Sequence, residues 1–136
     1  MTLHVELLMP DRVLWSGESG LVIAKTMDGD IGVQTGHSPV FGILAEGSLV
    51  RIQEVPGQEG TGDAVRAAVS GGFLSVADDR VSILAARAQL ASEVDTGAVR
   101  QELDAMATEA GSQAAVEESP EAKYARAQLR AAGEQA

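Results

Sequence analysis

The side chains that could do chemistry in this chain are few and scattered. It has two histidines, His4 and His37, no cysteine, and no cluster with metal-ligand spacing. Ser38 directly follows His37, which does not indicate a hydrolase triad. Residues 29–32 are too short for a dinucleotide loop, and the sequence contains no Gly-x-x-x-x-Gly-Lys phosphate loop. The residue types therefore argue against catalysis and indicate neither a metal nor a cofactor.

Composition bounds the class of protein and its partners. The chain has 136 residues, of which 45% are hydrophobic and only 3% aromatic, so we expect one domain with an aliphatic core and an appendage. A net charge of -10 argues against nucleic acid and against an anionic membrane surface. We find no signal peptide and no apolar run of membrane-spanning length. We therefore expect a cytoplasmic protein, or one held at a membrane through another protein.

The first 88 residues have the pattern of short β-strands. Leu3, Val5 and Leu7 alternate with polar residues, and Asp28-Gly29 and Glu46-Gly47 each separate apolar runs as hairpin turns do. Residues 56–63 are rich in glycine and polar side chains and indicate an exposed loop. Strands are predicted at residues 3–7, 12–15, 20–26, 30–33, 43–45, 48–52, 64–70, 73–77 and 80–86. Tight turns without intervening helices predict an antiparallel sandwich or barrel.

Residues 89–136 change to a helical pattern. Asp95 is suited to cap a helix over 96–110, while Ser119 and Pro120 are typical of a second helix start. Both helices carry narrow apolar stripes, and the second also carries a basic stripe formed by Lys123, Arg126 and Arg130. Alanine-rich faces bury little apolar area, so we expect this helical hairpin to be weakly held and able to move.

Two surfaces stand out as candidate binding sites. Residues 30–41 form a predicted strand followed by a glycine turn that presents His37, Ser38 and Pro39. The basic stripe of the second helix is the other candidate. For His37 the alternative is a solvated turn residue, and for the stripe it is a solvated helix face. A binding or assembly module fits these features best.

Three glycine-containing motifs carry a family resemblance. Residues 30–40, Asp-Ile-Gly-Val-Gln-Thr-Gly-His-Ser-Pro-Val, resemble the Gly-Glu-(Ile/Leu)-Gly-Ile-x-Pro-Gly-His-Ala-Pro-Leu motif of F-type ATP synthase epsilon subunits. Residues 71–76, followed by 81–85, resemble the second motif of that family, and residues 13–17 resemble its early strand. The order and spacing of these motifs agree over residues 3–88.

The resemblance implies a β-sandwich of about ten strands over residues 1–88 and a two-helix hairpin over 89–136. It implies a non-catalytic rotor subunit in the central stalk of a bacterial proton-translocating ATP synthase, peripheral at the cytoplasmic face of the plasma membrane. The partners implied are the gamma subunit, the c-ring and, through the C-terminal helices, the alpha/beta catalytic head. By position, the resemblance assigns the gamma and c-ring contacts to four residues: Asp30, His37, Ser38 and Pro39.

The resemblance also implies a regulatory tail. The helices of this family can extend and inhibit ATP hydrolysis, for which Lys123, Arg126 and Arg130 are the candidate contacts. Some members bind ATP through a Leu/Ile-Asp-x-x-Arg-Ala segment; here Asp95 is present, but Ala98 replaces the arginine. A free-standing regulatory or ligand-binding β domain with a sensing helical tail is the alternative function.

Overall fold

The computed structural model describes residues 2–58, 60, 62–110 and 119–133. Eight strands come first: β1 (Leu3–Met9), β2 (Arg12–Ser19), β3 (Leu21–Thr26), β4 (Gly29–Val33), β5 (Val40–Ile43), β6 (Ser48–Gln53), β7 (Asp63–Ala77) and β8 (Arg80–Leu90). A 3-10 turn at Ala91–Glu93 leads to α1 (Thr96–Ala110), and α2 covers Pro120–Ala131. The predicted break at Gly111-Ser112 lies outside the described residues.

The strands form one hydrogen-bonded sheet that encloses a core. Their order is β2-β1-β8-β7-β6-β3-β4, and β5 pairs with β7. Leu3 and Leu7 of β1 share a fully buried cluster with Val22 of β3 and Val33 of β4, although three strands separate β1 from β3 in that order. Strands near the two ends of this order therefore pack face to face around the core, which confirms the predicted β-sandwich fold.

The number of strands differs from the predicted pattern. The described strands number eight, compared with nine predicted from the residue pattern and about ten implied by the resemblance. One of the nine is lost because β7 continues through the predicted break at Gly71-Gly72. Gly72 has a φ of 121°, and a Cβ there would overlap the Leu84 carbonyl oxygen, so glycine lets the two paired strands stay in close contact. Glycine here lies within a strand and does not end it.

Two predicted pairings are wrong. The Glu46-Gly47 turn does not join a hairpin, because β5 pairs with β7 while β6 pairs with β3 and β7. The sheet is also not wholly antiparallel, since β1 and β8 run parallel from His4 opposite Arg80 to Leu8 opposite Leu84. Alternating hydrophobicity reports which face is buried, not which strand lies alongside. The Asp28-Gly29 hairpin is confirmed, with Thr26 opposite Gly29.

The helices begin where their capping residues predict. The Ala98 N–H donates to the Asp95 carboxylate at 3.1 Å, and the Ala122 N–H donates to the Ser119 hydroxyl at 3.1 Å. The face of α2 that packs on β6 and β7 is small, and its buried contacts are Ala68, Tyr124, Ala127 and Ala131. The opposite face packs on α1 through Val99, Ala125 and Leu129. Thus α2 lies between the sheet and α1.

Candidate docking surfaces

The loop between β4 and β5 presents the polar residues expected from the sequence. The His37 N–H donates to the Gln34 carbonyl at 3.2 Å, and His37 Nδ1 lies 2.7 Å from the Ser38 carbonyl oxygen. Because a carbonyl oxygen only accepts, this contact assigns the hydrogen to Nδ1 and leaves Nε2 as an acceptor when the ring is neutral. The ring is half-buried, whereas Ser38 and Pro39 are exposed. His37 is thus ordered by the loop rather than freely solvated.

A side chain from a distant turn holds this loop in place. The Gly36 N–H donates to the Asp79 carboxylate at 2.7 Å, and the Asp79 carbonyl accepts from the His4 N–H at 2.8 Å. Asp79 lies between β7 and β8 with a φ of 59°, a conformation that aspartate and asparagine tolerate better than most residues. Asp79 therefore connects the loop to the strand pair at the centre of the sheet.

Replacing Asp79 by glycine is expected to loosen this loop. Glycine accepts the positive φ but removes the charge-assisted hydrogen bond to Gly36. We expect amide hydrogen exchange at Gly36 to rise by about tenfold, as measured by NMR. The matched control is Asp79→Asn, which keeps an oxygen acceptor and tolerates the same φ. Equal exchange in Asp79→Gly and the parent chain would show that Asp79 does not hold the loop.

An apolar patch adjoins the loop along β5. Phe41 is 63% exposed, Ile43 is 53% exposed and Met27 is 70% exposed. The Met27 N–H donates to the Ile43 carbonyl at 2.8 Å, and the Phe41 ring stacks on the Phe73 ring with centroids 5.0 Å apart. Phe41 and Phe73 are the two phenylalanines of the chain, and neither belongs to the main core cluster. We call Met27, Phe41, Ile43 and Phe73 the β5 patch.

Met27 and Ile43 are surface candidates that were not predicted from the sequence. In β5 the half-buried Val40 and Gly42 alternate with the exposed Phe41 and Ile43. In an antiparallel sandwich only one face of a strand packs on the core. Apolar residues on both faces of β5 are therefore the signal that could have identified this surface. Pairing of β5 with β7 decides which face that is.

Asp30 does not lie with the other predicted contact residues. It is exposed on β4 opposite Lys25 of β3, and it lines a cavity together with Lys25, Arg51 and Arg130. His37, Ser38 and Pro39 do not line this cavity. The four residues assigned from the resemblance are thus divided between the β3–β4 hairpin and the loop after β4.

The basic stripe lies against the β domain. Lys123, Arg126 and Arg130 line a cavity of about 460 Å³ together with Lys25, Met27, Ala45, Glu46 and Gly47. Four of these side chains are cationic and one is anionic, in a chain whose net charge is -10. The stripe is therefore a local concentration of positive charge at the junction of α2 and the β domain, next to Met27 of the β5 patch.

Polar contacts on both sides of α2 accompany the alanine packing. Arg130 Nη2 donates to the Gly47 carbonyl at 3.0 Å, and Gln128 Nε2 donates to Gln89 Oε1 at 2.6 Å. The Arg87 guanidinium lies 4.4 Å above the centre of the Tyr124 ring, a favourable cation–π distance. Burial raises the pKa of Tyr124 above its ordinary value, against the opposing charge of Arg87, so its hydroxyl is neutral at physiological pH.

Asp95, the candidate nucleotide contact, already has a structural role. Its carboxylate accepts from the Ala98 N–H at 3.1 Å and its carbonyl accepts from the Val99 N–H at 3.0 Å. An aspartate at this position is explained by helix capping. In the described parts of the chain, we find no group of acidic or histidine side chains that could hold a metal ion. No described helix is long and apolar enough to cross a bilayer.

Comparisons with known proteins identify the family. The family model described as ATP synthase, Delta/Epsilon chain, beta-sandwich domain, matches residues 2–91. An ATP synthase epsilon chain from Thermobifida fusca is 52% identical over 109 residues, covering 79% of this chain and 77% of that protein. One from Mycolicibacterium vanbaalenii is 36% identical over 132 residues, covering 97% of this chain and 96% of that protein.

Solved structures share the fold. A chain of the Euglena gracilis mitochondrial ATP synthase, OSCP/F1/c-ring, has a TM-score of 0.67 at 20% identity and covers 97% of this chain and 79% of its own length. A chain of the Tetrahymena thermophila mitochondrial ATP synthase, central stalk/c-ring, has a TM-score of 0.53 at 18% identity and covers 68% of this chain and 69% of its own length. The resemblance drawn from the glycine motifs is confirmed: this chain belongs to the ATP synthase epsilon chain family.

Proposed function

We propose that this chain is the non-catalytic epsilon subunit of a proton-translocating ATP synthase. In this role it joins the gamma subunit to the c-ring in the central stalk and couples proton flow to ATP synthesis. Family membership supports the assignment, since the chain matches most of the length of relatives named ATP synthase epsilon chain. The β5 patch is the observation in the molecule that carries it.

The composition of the β5 patch supports a protein partner. Both phenylalanines of a chain with 3% aromatic residues lie outside the main core cluster, with Phe41 exposed and Phe73 half-buried beneath it. Apolar and aromatic side chains more than half exposed mark protein interfaces, because their exposure to water is relieved only when a partner covers them. Exposed Met27 enlarges the patch with a side chain that adapts easily to a partner surface.

The loop that follows β4 supplies the polar part of this interface. His37, Ser38 and Pro39 lie two to four residues before Phe41, and the Asp79 carboxylate holds the loop through Gly36. A preordered loop loses little conformational entropy on binding, which favours docking at this edge. We assign His37, Ser38 and Pro39 to the gamma and c-ring contact together with the β5 patch. Asp30, exposed on the β3–β4 hairpin, provides a separate anionic contact to these partners.

The helices provide the regulatory part of the proposed function. When α2 leaves the β domain, Lys123, Arg126 and Arg130 become available to acidic residues of the alpha/beta catalytic head and inhibit ATP hydrolysis. In the docked arrangement Arg130 is bonded to Gly47, and all three side chains line the cavity beside the β domain. Lys123 and Arg130 remain exposed in this arrangement, so release of α2 serves to carry the basic stripe to the catalytic head rather than to uncover it.

The proposed location follows from the assembly. The chain is peripheral at the membrane through the ATP synthase complex, on the cytoplasmic face of the plasma membrane. The division of the chain at residue 88 remains a prediction; β8 extends to Leu90 and the family match to residue 91.

Gel filtration with a gamma subunit from the same enzyme tests the proposal. At micromolar concentrations we expect the two proteins to co-migrate as one complex, because an interface built on exposed aromatic and apolar side chains gives affinities in this range or tighter. A free-standing regulatory β domain would elute alone. Absence of co-migration by the folded chain would therefore contradict the stalk assignment.

A further inference from the structure

Helix α2 approaches the turn between β5 and β6 so closely that the turn has no room for a side chain. Gly47 is buried at this point with a φ of 59°. A Cβ at position 47 would overlap the carbonyl carbon, carbonyl oxygen and Cβ of Lys123. The overlap is with helix backbone, which cannot rotate away as the end of a flexible side chain can.

The same turn also accepts a hydrogen bond from the helix. Arg130, two helical turns after Lys123, donates to the Gly47 carbonyl at 3.0 Å. Gly47 thus admits the backbone of α2 at one point and accepts a charge-assisted hydrogen bond from its side chain at another. Both contacts depend on the helix lying at its present distance from the turn.

The rest of the interface has little capacity to compensate for a displaced helix. Beneath α2 the buried contacts come from Ala68, Ala127 and Ala131 together with Tyr124. Small side chains make contact only when the backbones are close, and each buries little apolar area. A shift of the helix away from Gly47 therefore weakens the alanine contacts as well as the Arg130 hydrogen bond.

We propose that Gly47 is the steric latch of the C-terminal helices. The absence of a side chain at this position permits the docked arrangement, and any Cβ there shifts the population toward helices released from the β domain. The Glu46-Gly47 turn is thereby a control point for the hairpin that lies outside the helices themselves.

Distance measurement in the isolated full-length chain tests the latch. The chain has no cysteine, so cysteines introduced at the exposed positions Asp28 and Glu121 accept a donor–acceptor pair of dyes at those two sites only. We expect one short distance in the parent chain. In Gly47→Ala we expect the ratio of released to docked molecules to rise by about tenfold or more, because overpacking displaces the helix.

Two further variants separate release from general strain. Gly57→Ala also places alanine at a positive φ, of 90°, but a Cβ there meets nothing within 4 Å, so its distance should match the parent chain. Gly47→Asn tolerates the backbone conformation and still carries a Cβ, so it should release the helices even if Gly47→Ala folds poorly. Circular dichroism confirms that the strands persist. Docked distances in both Gly47 variants would overturn the proposal.

Discussion

Replacing Phe41 by aspartate is expected to abolish co-migration of this chain with the gamma subunit. Phe41 is 63% exposed, so the free chain should accept the carboxylate with little loss of stability. At an apolar interface the same carboxylate would be buried without a partner, and the exposed aromatic surface of Phe41 would no longer be available to the partner. These effects together should weaken binding by about a hundredfold or more, as measured by gel filtration and calorimetry.

Val13→Asp is the matched control for this experiment. Val13 is 59% exposed, close to the value for Phe41, but it lies on β2, at the end of the sheet order. We expect this variant to co-migrate with gamma as the parent chain does. Loss of binding in both variants would point to a general effect of added negative charge. Unchanged binding in Phe41→Asp would remove the β5 patch from the gamma interface.

Changing Lys123, Arg126 and Arg130 together to alanine is expected to relieve inhibition of ATP hydrolysis in the assembled enzyme. In the proposed mechanism these three cations contact acidic residues of the catalytic head after α2 is released. Pairs of this kind contribute about 1–3 kcal/mol each when water is excluded, so loss of all three should weaken the inhibitory contact by about a hundredfold or more, and hydrolysis should rise toward the rate of the uninhibited enzyme. The measurement is steady-state ATP hydrolysis by enzyme reconstituted with each epsilon variant.

Variants at Lys25 and Gly47 are compared with the triple variant to test the mechanism. Lys25 lines the same cavity but belongs to β3, so Lys25→Ala should leave hydrolysis unchanged. Gly47→Ala releases the helices with their cations intact, so it should lower hydrolysis, the opposite sign to the triple variant. If the triple variant hydrolyses ATP no faster than the parent enzyme, the basic stripe does not carry the inhibition.

Local features explain why much of the fold could be predicted from the sequence. Alternation placed Leu3, Val5 and Leu7 in the core, where all three are fully buried. Asp95 and Ser119 cap the helices through hydrogen bonds to residues three positions later. The polar loop was predicted for a similar reason, since Gly36 permits a positive φ and Pro39 restricts the chain beside His37. In each case the pattern that allows the prediction lies within a few residues of sequence.

The sites were predictable only in part. The basic stripe of α2 follows from spacings of three and four residues, which place Lys123, Arg126 and Arg130 on one side of a helix. Its position against Gly47 and Lys25 depends on contacts between residues about 80 or more positions apart. The Asp79 tether of the His37 loop is likewise long-range and has no local sequence pattern.

The sequence by itself determined the types of element, the helix starts, the aliphatic core and the family, because periodicity, capping and turn residues act locally. Only the tertiary structure decided that β1 and β8 are parallel, that β5 joins β7, and that Phe41 and Phe73 stack at the surface. It also decided that Gly47 lies beneath α2. Strand pairing and helix docking depend on which distant surfaces fit together, and local patterns of residue types do not specify that fit.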